Sequence, residues 1–268
     1  MAYLQLGSSG PEVERVQQQL RERGFESDDV NGQFGPGTDA ALRAFQRSVS
    51  LPADGLAGPN TIAALTTPSV TSNVRLDQVV AMFPQAPRMN VQLHLPFVLK
   101  ALLNANLADK SMVLMALGTI RAEVAAFQPI DELVSPFNTT AGGRPFDKYD
   151  NRRDLGNLGP PDGVRFKGRG FVQLTGRANY RQYSSAIGLD SSQLVRDPDL
   201  ANDPEIAAKL LAAFLKDKEA SIRRALQAGD MATARELVNG GRHGLEDFED
   251  AFHRGQALVP DDVHVQTA

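Results

Sequence analysis

Three short helices are predicted at the start of the chain from the spacing of its apolar residues. In the first of them, Val13, Val16 and Leu20 recur at helical intervals and would share one face. A Gly-Pro pair precedes each helix, at Gly10-Pro11, Gly35-Pro36 and Gly58-Pro59. Proline suits the first turn of a helix because its φ is already helical and an amide hydrogen would have no partner there. The pattern predicts a compact three-helix bundle over residues 1–66.

The rest of the chain is predicted to be a second, mostly helical domain over residues 75–260. Residues 67–74 are polar and include Pro68, which is typical of a linker between domains, and residues 261–268 are predicted to be a tail. Within the second domain, alternating strand patterns are few and five stretches have helical periodicity. These stretches are residues 77–83, 95–105, 111–127, 205–227 and 231–238. The predicted fold class is therefore mostly α.

Composition places the chain among ordinary globular proteins and excludes several kinds of site. Of its 268 residues, 42% are hydrophobic and 22% are charged, and none is cysteine. The absence of cysteine excludes disulfide bonds, thiolate zinc sites and cysteine nucleophiles. The four histidines lack the spacing of metal ligands, so neither a metal site nor a cofactor is predicted. The formal charge of −4 argues against nonspecific binding to nucleic acid or to an anionic membrane surface.

The predicted helix over 111–127 carries one carboxyl group on an otherwise apolar line. That line consists of Met112, Ala116, Ile120, Glu123 and Phe127. Pro129 ends the helix, so Glu123 lies near its C-terminus, where the helix dipole also disfavours an anion. Both features favour a protonated carboxyl group, which a general acid needs at neutral pH. The alternative is a glutamate at the rim that reaches water or pairs with Arg121 or another base.

A second carboxyl group, on Glu132, follows nine positions later in polar surroundings. One carboxyl in an apolar environment and one in a polar environment make the acid and base pair of glycosidic-bond hydrolysis. The spacing alone is weak evidence, because two glutamates at this interval occur by chance in many helical proteins.

The segment over 166–180 contains further polar candidates. Val172 and Leu174 alternate with Gln173 and Thr175, which predicts a short strand that buries the first pair and presents the second pair to a cleft. Gln173 would then bind a sugar amide, and Thr175 would hold a water molecule. Before this segment, residues 135–168 are rich in Gly, Pro, Asn and Asp, which predicts a long loop that is functional or mobile.

Together these residues resemble glycoside hydrolase family 19, the chitinase-like fold that many phage endolysins use. The resemblance runs from about Leu76 to Leu258. It is carried by residues 168–180, by residues 149–157 leading to Asp162-Gly163, and by the turn at 239–241, which alone indicates only a helix C-cap. The resemblance implies a mostly helical, lysozyme-like domain with two lobes and an inverting mechanism.

The same resemblance implies roles for six residues. Glu123 matches the general acid of the family, Glu132 its general base, and Thr175 the hydroxyl residue that helps to position the water. The substrate-binding positions of the cleft are matched by Gln173, Tyr180 and Asn239. The chain departs from the family at residues 122–127, which are Ala-Glu-Val-Ala-Ala-Phe instead of His-Glu-Thr-Gly-Gly-Phe. This departure concerns the shape of the cleft and the preferred sugar more than the type of reaction.

The first 66 residues resemble the peptidoglycan-binding domain 1 family. The resemblance is carried by Leu4-Gln5-Leu6-Gly7 through Val16-Gln17, by residues 31–35, by Phe45-Gln46 and by residues 54–61. It implies a wall-binding module that raises the local concentration of an enzyme on its insoluble substrate.

The chain is therefore predicted to be a modular peptidoglycan hydrolase, an endolysin-type muramidase that cleaves the β-1,4 bond between N-acetylmuramic acid and N-acetylglucosamine. Peptidoglycan is the expected partner, no nucleic acid, membrane or cofactor is expected, and the expected state is a monomer. Two alternatives stay open: a chitinase acting on N-acetylglucosamine polymers, and a cell-wall-binding protein whose catalytic half has decayed. Because Met1 to Glu12 shows no secretory signal, the protein is expected to be made in the bacterial cytoplasm and to reach the periplasm or wall by holin-type or other release.

Overall fold

The computed structural model describes residues 3–241 and 243–267, except for the side chain of Asn239. These residues form fourteen α-helices and four short strands, which confirms the predicted mostly α class. The chain divides into two compact units, the first ending at Thr67 and the second beginning at Pro68. None of the described helices has the length and apolar character that a membrane span requires.

The first unit is built from three helices, α1 (Pro11–Glu22), α2 (Pro36–Ser48) and α3 (Pro59–Thr66). Each helix has its proline in the first turn, at the place that the Gly-Pro pairs predict. The apolar faces of the three helices form one small core. Its buried side chains include Val13, Val16, Leu20, Leu42, Phe45 and Leu65.

A buried glutamine on α1 joins that helix to the turn before α2. Gln17 is 1% exposed, its Nε2 donates to Thr38 Oγ1 at 2.9 Å, and its Oε1 accepts from Gly32 N at 2.8 Å. Gly32 has a φ of 78°, a left-handed conformation that glycine adopts readily. The glutamine therefore pairs with polar groups of the interior that would otherwise cost free energy on burial.

The same arrangement recurs one helix later. Gln46 on α2 is also 1% exposed, its Nε2 donates to Thr61 Oγ1 at 3.1 Å, and its Oε1 accepts from Gly55 N at 3.0 Å. Gly55 again has a left-handed φ, of 73°. The recurring Gly-Pro pairs of the sequence are thus accompanied by two copies of one polar bridge, each of which joins one helix to the next.

The second unit contains the remaining helices and the strands. Its helices are α4 (Leu76–Met82), α5 (Arg88–Asn104), α6 (Lys110–Glu123), α7 (Asp147–Asp150), α8 (Asp162–Arg165), α9 (Arg177–Ala186), α10 (Gln193–Arg196), α11 (Pro204–Asp217), α12 (Glu219–Gln227), α13 (Met231–Asn239) and α14 (Leu245–Leu258). Its strands are β1 (Val70–Ser72), β2 (Ile130–Asp131), β3 (Arg169–Gly170) and β4 (Val265–Thr267), and two 3₁₀ helices lie at Arg153–Leu155 and Pro198–Asn202.

Helix α6 is the central helix of this unit. Its residues from Met112 to Arg121 are all buried, and α14 packs along it. Gly118 permits this close approach, because a Cβ atom there would lie 2.8 Å from the ring of Phe248. The helix ends at Glu123, earlier than the predicted end near residue 127. The side chain of Glu123 therefore lies where the chain leaves the core.

Two segments predicted to flank the second domain belong to its structure, so the linker prediction (67–74) and the tail prediction (261–268) are wrong in this respect. Strand β1 pairs antiparallel with β4, with Val70 opposite Thr267 and Ser72 opposite Val265. Asn73 Nδ2 also donates to the main-chain oxygen of Asp262 at 2.8 Å, across 189 positions of sequence. Local composition predicts a linker because it contains no information about a partner so distant along the chain.

The long segment over 135–168 is held in place by buried polar side chains. Asn157 Nδ2 donates to Tyr149 O at 2.8 Å, and Asn157 Oδ1 accepts from Arg177 N at 2.9 Å. Asp162 is 3% exposed and accepts from Arg177 Nε at 2.8 Å. The Gly, Pro, Asn and Asp residues of this segment thus make short helices and turns with defined partners.

Candidate active site

A cleft of about 680 Å³ opens on the second unit at the C-terminal end of α6. One wall comes from the end of α6, a second from β2 and the segment that follows it, and a third from the turn after β3. Four residues singled out from the sequence line this cleft together: Glu123, Glu132, Gln173 and Thr175. The fold therefore brings the two predicted carboxyl groups into one space.

Glu123 is paired with a buried cation. Its side chain is 12% exposed, and its Oε1 accepts a hydrogen bond from Arg235 Nη2 at 2.7 Å. Arg235, on α13, is fully buried and also donates through Nε to the main-chain oxygen of His243 at 3.0 Å. The expectation of wholly apolar surroundings is therefore wrong, and the alternative of pairing with another base is the arrangement observed. Arg121 instead donates to Met82 O at 2.8 Å and to Asp247 Oδ1 at 3.1 Å.

The contact with Arg235 distinguishes the two oxygens of the Glu123 carboxyl. Because Arg235 binds Oε1, the oxygen that remains for a proton is Oε2. Arg235 lies beside Ala234 and three positions before Val238, two buried residues of α13, so helical periodicity would have placed this cation on an apolar face.

Glu132 is held by three hydrogen-bond donors that carry no charge. Its Oε1 accepts from Asn138 Nδ2 at 2.9 Å and from the Tyr149 hydroxyl at 2.8 Å, and its Oε2 accepts from Gly168 N at 3.0 Å. Asn138 is fully buried. Burial, and then the hydrogen bond to Glu132, raise the pKa of Tyr149, so this hydroxyl stays a donor. The polar surroundings expected for Glu132 are present, in a form that the sequence did not reveal.

The backbone under Glu132 is fixed by a small sheet and an ion-pair cluster. Strand β2 pairs with β3, with Asp131 opposite Arg169. Asp131 contacts Lys167 Nζ at 2.7 Å and Arg169 Nε at 3.1 Å, and it accepts from Asn202 Nδ2 at 2.7 Å. Burial acts to raise the pKa of Asp131, but the hydrogen bonds from Lys167 and Asn202 outweigh it and lower the pKa. A carboxylate next to Glu132 thus anchors the segment that carries it.

Gln173 and Thr175 reach the cleft from a turn, so the predicted strand is wrong. Residues 171–173 form a turn after β3, and Gln173 has a φ of 50°. The Nε2 of Gln173 donates to Ile130 O at 3.0 Å and to Gly170 O at 3.1 Å. Thr175 Oγ1 donates to Gln173 O at 2.9 Å, which supports the turn. The alternating pattern identified the side chains that reach the cleft, but the left-handed backbone at Gln173 exposes them and not a strand.

Tyr180 does not lie in the cleft, and its prediction as a substrate-binding residue is wrong. It is fully buried on α9, its hydroxyl donates to Lys167 O at 2.8 Å, and Arg169 Nη1 donates to the same hydroxyl at 3.0 Å. Burial raises its pKa. Tyr180 packs behind the cleft because it lies on the inner face of the helix that follows the turn.

Asn239, the last predicted substrate-binding residue, ends α13, and its side chain lies outside the described residues. Gly240 follows with a φ of 70°, as a C-cap requires. Among the described residues no group of three acidic or histidine side chains has the arrangement of a metal site.

Residues 9–65 match the family model of the peptidoglycan binding domain. Over this segment the chain is similar to that family. The peptidoglycan-binding domain thus accounts for most of the first unit, and its resemblance noted from the sequence is confirmed.

Curated relatives match parts of the chain. A spore cortex-lytic enzyme of Bacillus cereus is 48% identical over 58 residues, which is 22% of the chain and 22% of that enzyme. A glycosyl hydrolase family 19 domain-containing protein of Haemophilus influenzae is 28% identical over 99 residues, which is 37% of the chain and 45% of that protein. The chain spans less than half the length of the curated relatives it matches.

The fold of the second unit is found among solved structures. Chitinase C from Streptomyces griseus aligns with a TM-score of 0.51 and 19% identity, over 70% of this chain and 76% of that chain. This share is far larger than the peptidoglycan-binding domain, so the likeness concerns the second unit. The predicted chitinase-like fold is confirmed.

Proposed function

We propose that the chain is a modular peptidoglycan hydrolase, in which the peptidoglycan-binding domain holds the wall and the second unit hydrolyses its glycan strands. The observation that carries this proposal is the pair of carboxyl groups, Glu123 and Glu132, in one cleft of a chitinase-like fold. The names of the similar proteins, a cortex-lytic enzyme and a family 19 hydrolase, support the same class of reaction.

In this proposal Glu123 is the general acid. It donates the proton on Oε2 to the glycosidic oxygen, while Arg235 holds Oε1 and keeps the group oriented. As the bond breaks, the carboxyl group becomes an anion beside a buried guanidinium, which stabilises the charge that develops. Arg235 makes the surroundings of Glu123 less apolar than expected, but it stabilises the carboxylate that remains after proton transfer.

Glu132 is the general base. An inverting mechanism needs a carboxylate that removes a proton from water on the face of the sugar opposite the acid. Hydrogen bonds from Asn138, Tyr149 and Gly168 fix the orientation of the Glu132 carboxyl. The role of Thr175 in positioning the water and that of Gln173 in binding a sugar amide stay predictions.

The bond proposed is the β-1,4 linkage between N-acetylmuramic acid and N-acetylglucosamine, and the protein is proposed to act on it in the bacterial wall as a monomer. Likeness to chitinase C favours a second candidate, hydrolysis of N-acetylglucosamine polymers. Mass spectrometry of digested muropeptides, beside product release from chitin oligomers, separates the two. A decayed binding protein would sediment with walls and release no reducing ends at any pH.

Glu123→Gln tests the proposal directly. The variant keeps the hydrogen bond from Arg235 but has no proton to donate, so we expect turnover to disappear while the thermal unfolding midpoint stays close to that of wild type. The measurement is loss of turbidity of permeabilised Gram-negative cells, together with release of reducing ends from purified peptidoglycan. Wild-type rates in the variant would refute the proposal.

A further inference from the structure

The segment around β2 exposes a cluster of large apolar side chains, which we call the apolar rim. The rim consists of Ile130, Leu133, Val134 and Phe137, and its most exposed members are Leu133 at 77% and Phe137 at 88%. Ile130, Leu133 and Phe137 line the same cleft as the two carboxyl groups. Exposed apolar side chains that gather at a cleft are typical of a binding surface.

A buried asparagine fixes the backbone of the rim. Asn138 is fully buried, its Nδ2 donates to Leu133 O at 2.8 Å, and its Oδ1 accepts from Ser135 N at 2.9 Å. The same Nδ2 donates to Glu132 Oε1 at 2.9 Å. One side chain thus holds both the proposed base and the rim, so the rim keeps a defined position beside the base while its own side chains stay exposed.

A cation lies next to the rim. The Nζ of Lys148 donates to the main-chain oxygen of Pro136, the residue before Phe137. The main-chain nitrogen of Lys148 donates to Asn138 O at 3.2 Å, which ties α7 to the same segment. Lys148 is exposed to solvent. An apolar surface with a cation at its edge fits a ligand that carries both apolar groups and carboxylates.

The two candidate substrates differ in just such groups. N-acetylmuramic acid carries a short peptide on its lactyl group, with methyl side chains and carboxylates, and N-acetylglucosamine carries none. We propose that the apolar rim and Lys148 bind the peptide of an N-acetylmuramic acid residue that occupies the cleft, and that this surface selects peptidoglycan over N-acetylglucosamine polymers. This inference rests on the proposed function. Because most of the rim lines a concave cleft, a glycan strand in the cleft brings its peptide to the rim, whereas a flat lipid surface does not reach it.

The test compares soluble glycan strands that bear peptides with the same strands from which an amidase has removed the peptides. We expect the wild-type protein to have a kcat/KM about 10-fold higher on the peptide-bearing strands. Phe137→Ser and Leu133→Ser should each raise KM on these strands about 10-fold with kcat unchanged, because the contact holds substrate and transition state equally. On the stripped strands both variants should stay within about twofold of wild type.

Leu158→Ser is the matched control. Leu158 is 65% exposed and is not among the residues that line the cleft. The same loss of apolar surface there should leave KM on both substrates at the wild-type value.

Lys148→Gln probes the charge at the edge of the rim. We expect KM on peptide-bearing strands to rise about 2- to 5-fold and to depend less on salt than in the wild-type protein, because the cation no longer attracts the carboxylates. Lys148→Arg keeps the charge and should restore both the wild-type KM and its salt dependence. Neither variant removes apolar surface, so this comparison tests the proposal even if Phe137→Ser fails to fold, which thermal unfolding would reveal.

Two results would overturn the inference. An equal rise in KM on peptide-bearing and stripped strands would make the rim a contact to the sugar chain. Wild-type KM on both kinds of strand in Phe137→Ser and Leu133→Ser, with a loss seen only on permeabilised cells, would assign the rim to a membrane surface. Full activity of Glu123→Gln would instead remove the proposed function itself, so the two failures are distinguishable.

Discussion

Glu123 and Glu132 lie in one cleft, but different parts of the fold control them. Glu123 ends a helix that is buried from Met112 to Arg121, and its carboxyl contacts a buried cation. Glu132 follows a two-residue strand, and its carboxyl accepts three hydrogen bonds from uncharged donors. In this cleft, an ion pair holds Glu123 and hydrogen bonds from uncharged groups hold Glu132. The two can therefore be perturbed separately.

Among the variants that distinguish the two carboxyl groups, Glu132→Gln is expected to have the largest effect on rate. Loss of a general base costs about 10²–10⁴ in rate. We expect kcat on purified peptidoglycan to fall within that range with little change in KM, because the substituted amide still accepts hydrogen bonds through its oxygen. Retention of more than about a tenth of wild-type kcat would show that this carboxyl is not the base.

Arg235→Met should affect Glu123 alone. The change removes the hydrogen bond from Arg235 Nη2 to Glu123 Oε1. We expect kcat/KM at neutral pH to fall about 10- to 100-fold, since Oε1 loses the partner that orients it. Arg235→Lys retains the charge without the planar fork and is the matched control. Wild-type kcat/KM in Arg235→Met would mean that Arg235 does not orient the Glu123 carboxyl.

Removing one partner of a buried ion pair also destabilises the fold, by about 3–5 kcal/mol. Urea unfolding of Arg235→Met should show this loss. Rates measured under conditions in which the variant is folded then separate the catalytic effect from the loss of stability.

Tyr149→Phe should affect Glu132 alone, with a smaller effect. The change removes one of the two hydrogen bonds that Glu132 Oε1 accepts, so the carboxyl is held less firmly. A hydrogen bond worth about 0.5–1.5 kcal/mol corresponds to roughly 2- to 10-fold in rate, which kcat/KM on purified peptidoglycan would show. Strong coupling of Tyr149→Phe to Arg235→Met in the double variant would contradict the separation of the two sites.

His94→Leu should change stability and leave kcat/KM close to that of wild type. His94 is 4% exposed on α5, and burial lowers its pKa from 6.5 to about 4. Between those values the unfolded chain binds a proton that the folded protein does not, so the free energy of unfolding falls as pH drops, by at most about 1.4 kcal/mol per pH unit. Urea unfolding at several pH values should show a flatter dependence in the variant. An identical dependence would mean that His94 does not titrate as its burial implies.

The helices and the carboxyl pair were predictable from the sequence because their signals are local. The Gly-Pro pairs mark the helices of the first unit, and an apolar line leads to Glu123 at the end of α6. Tyr180 was placed in the cleft by the family resemblance, which does not tell which face of α9 the core covers. The strand predicted around Gln173 was wrong for another reason. One residue with a left-handed backbone exposes its side chain in the way that an alternating strand would.

Only the tertiary structure decided the contacts between distant segments. Arg235 lies 112 positions from Glu123, and Gly168 lies 36 positions from Glu132, so neither pairing leaves a trace in local composition. Strands β1 and β4 likewise join segments that the sequence assigned to a linker and a tail. The sequence by itself determined which residues are candidates for the chemistry, because residue type and spacing are its content. Their charge partners and orientations depend on which backbone and side-chain groups meet when the chain closes on itself, and that is settled by packing.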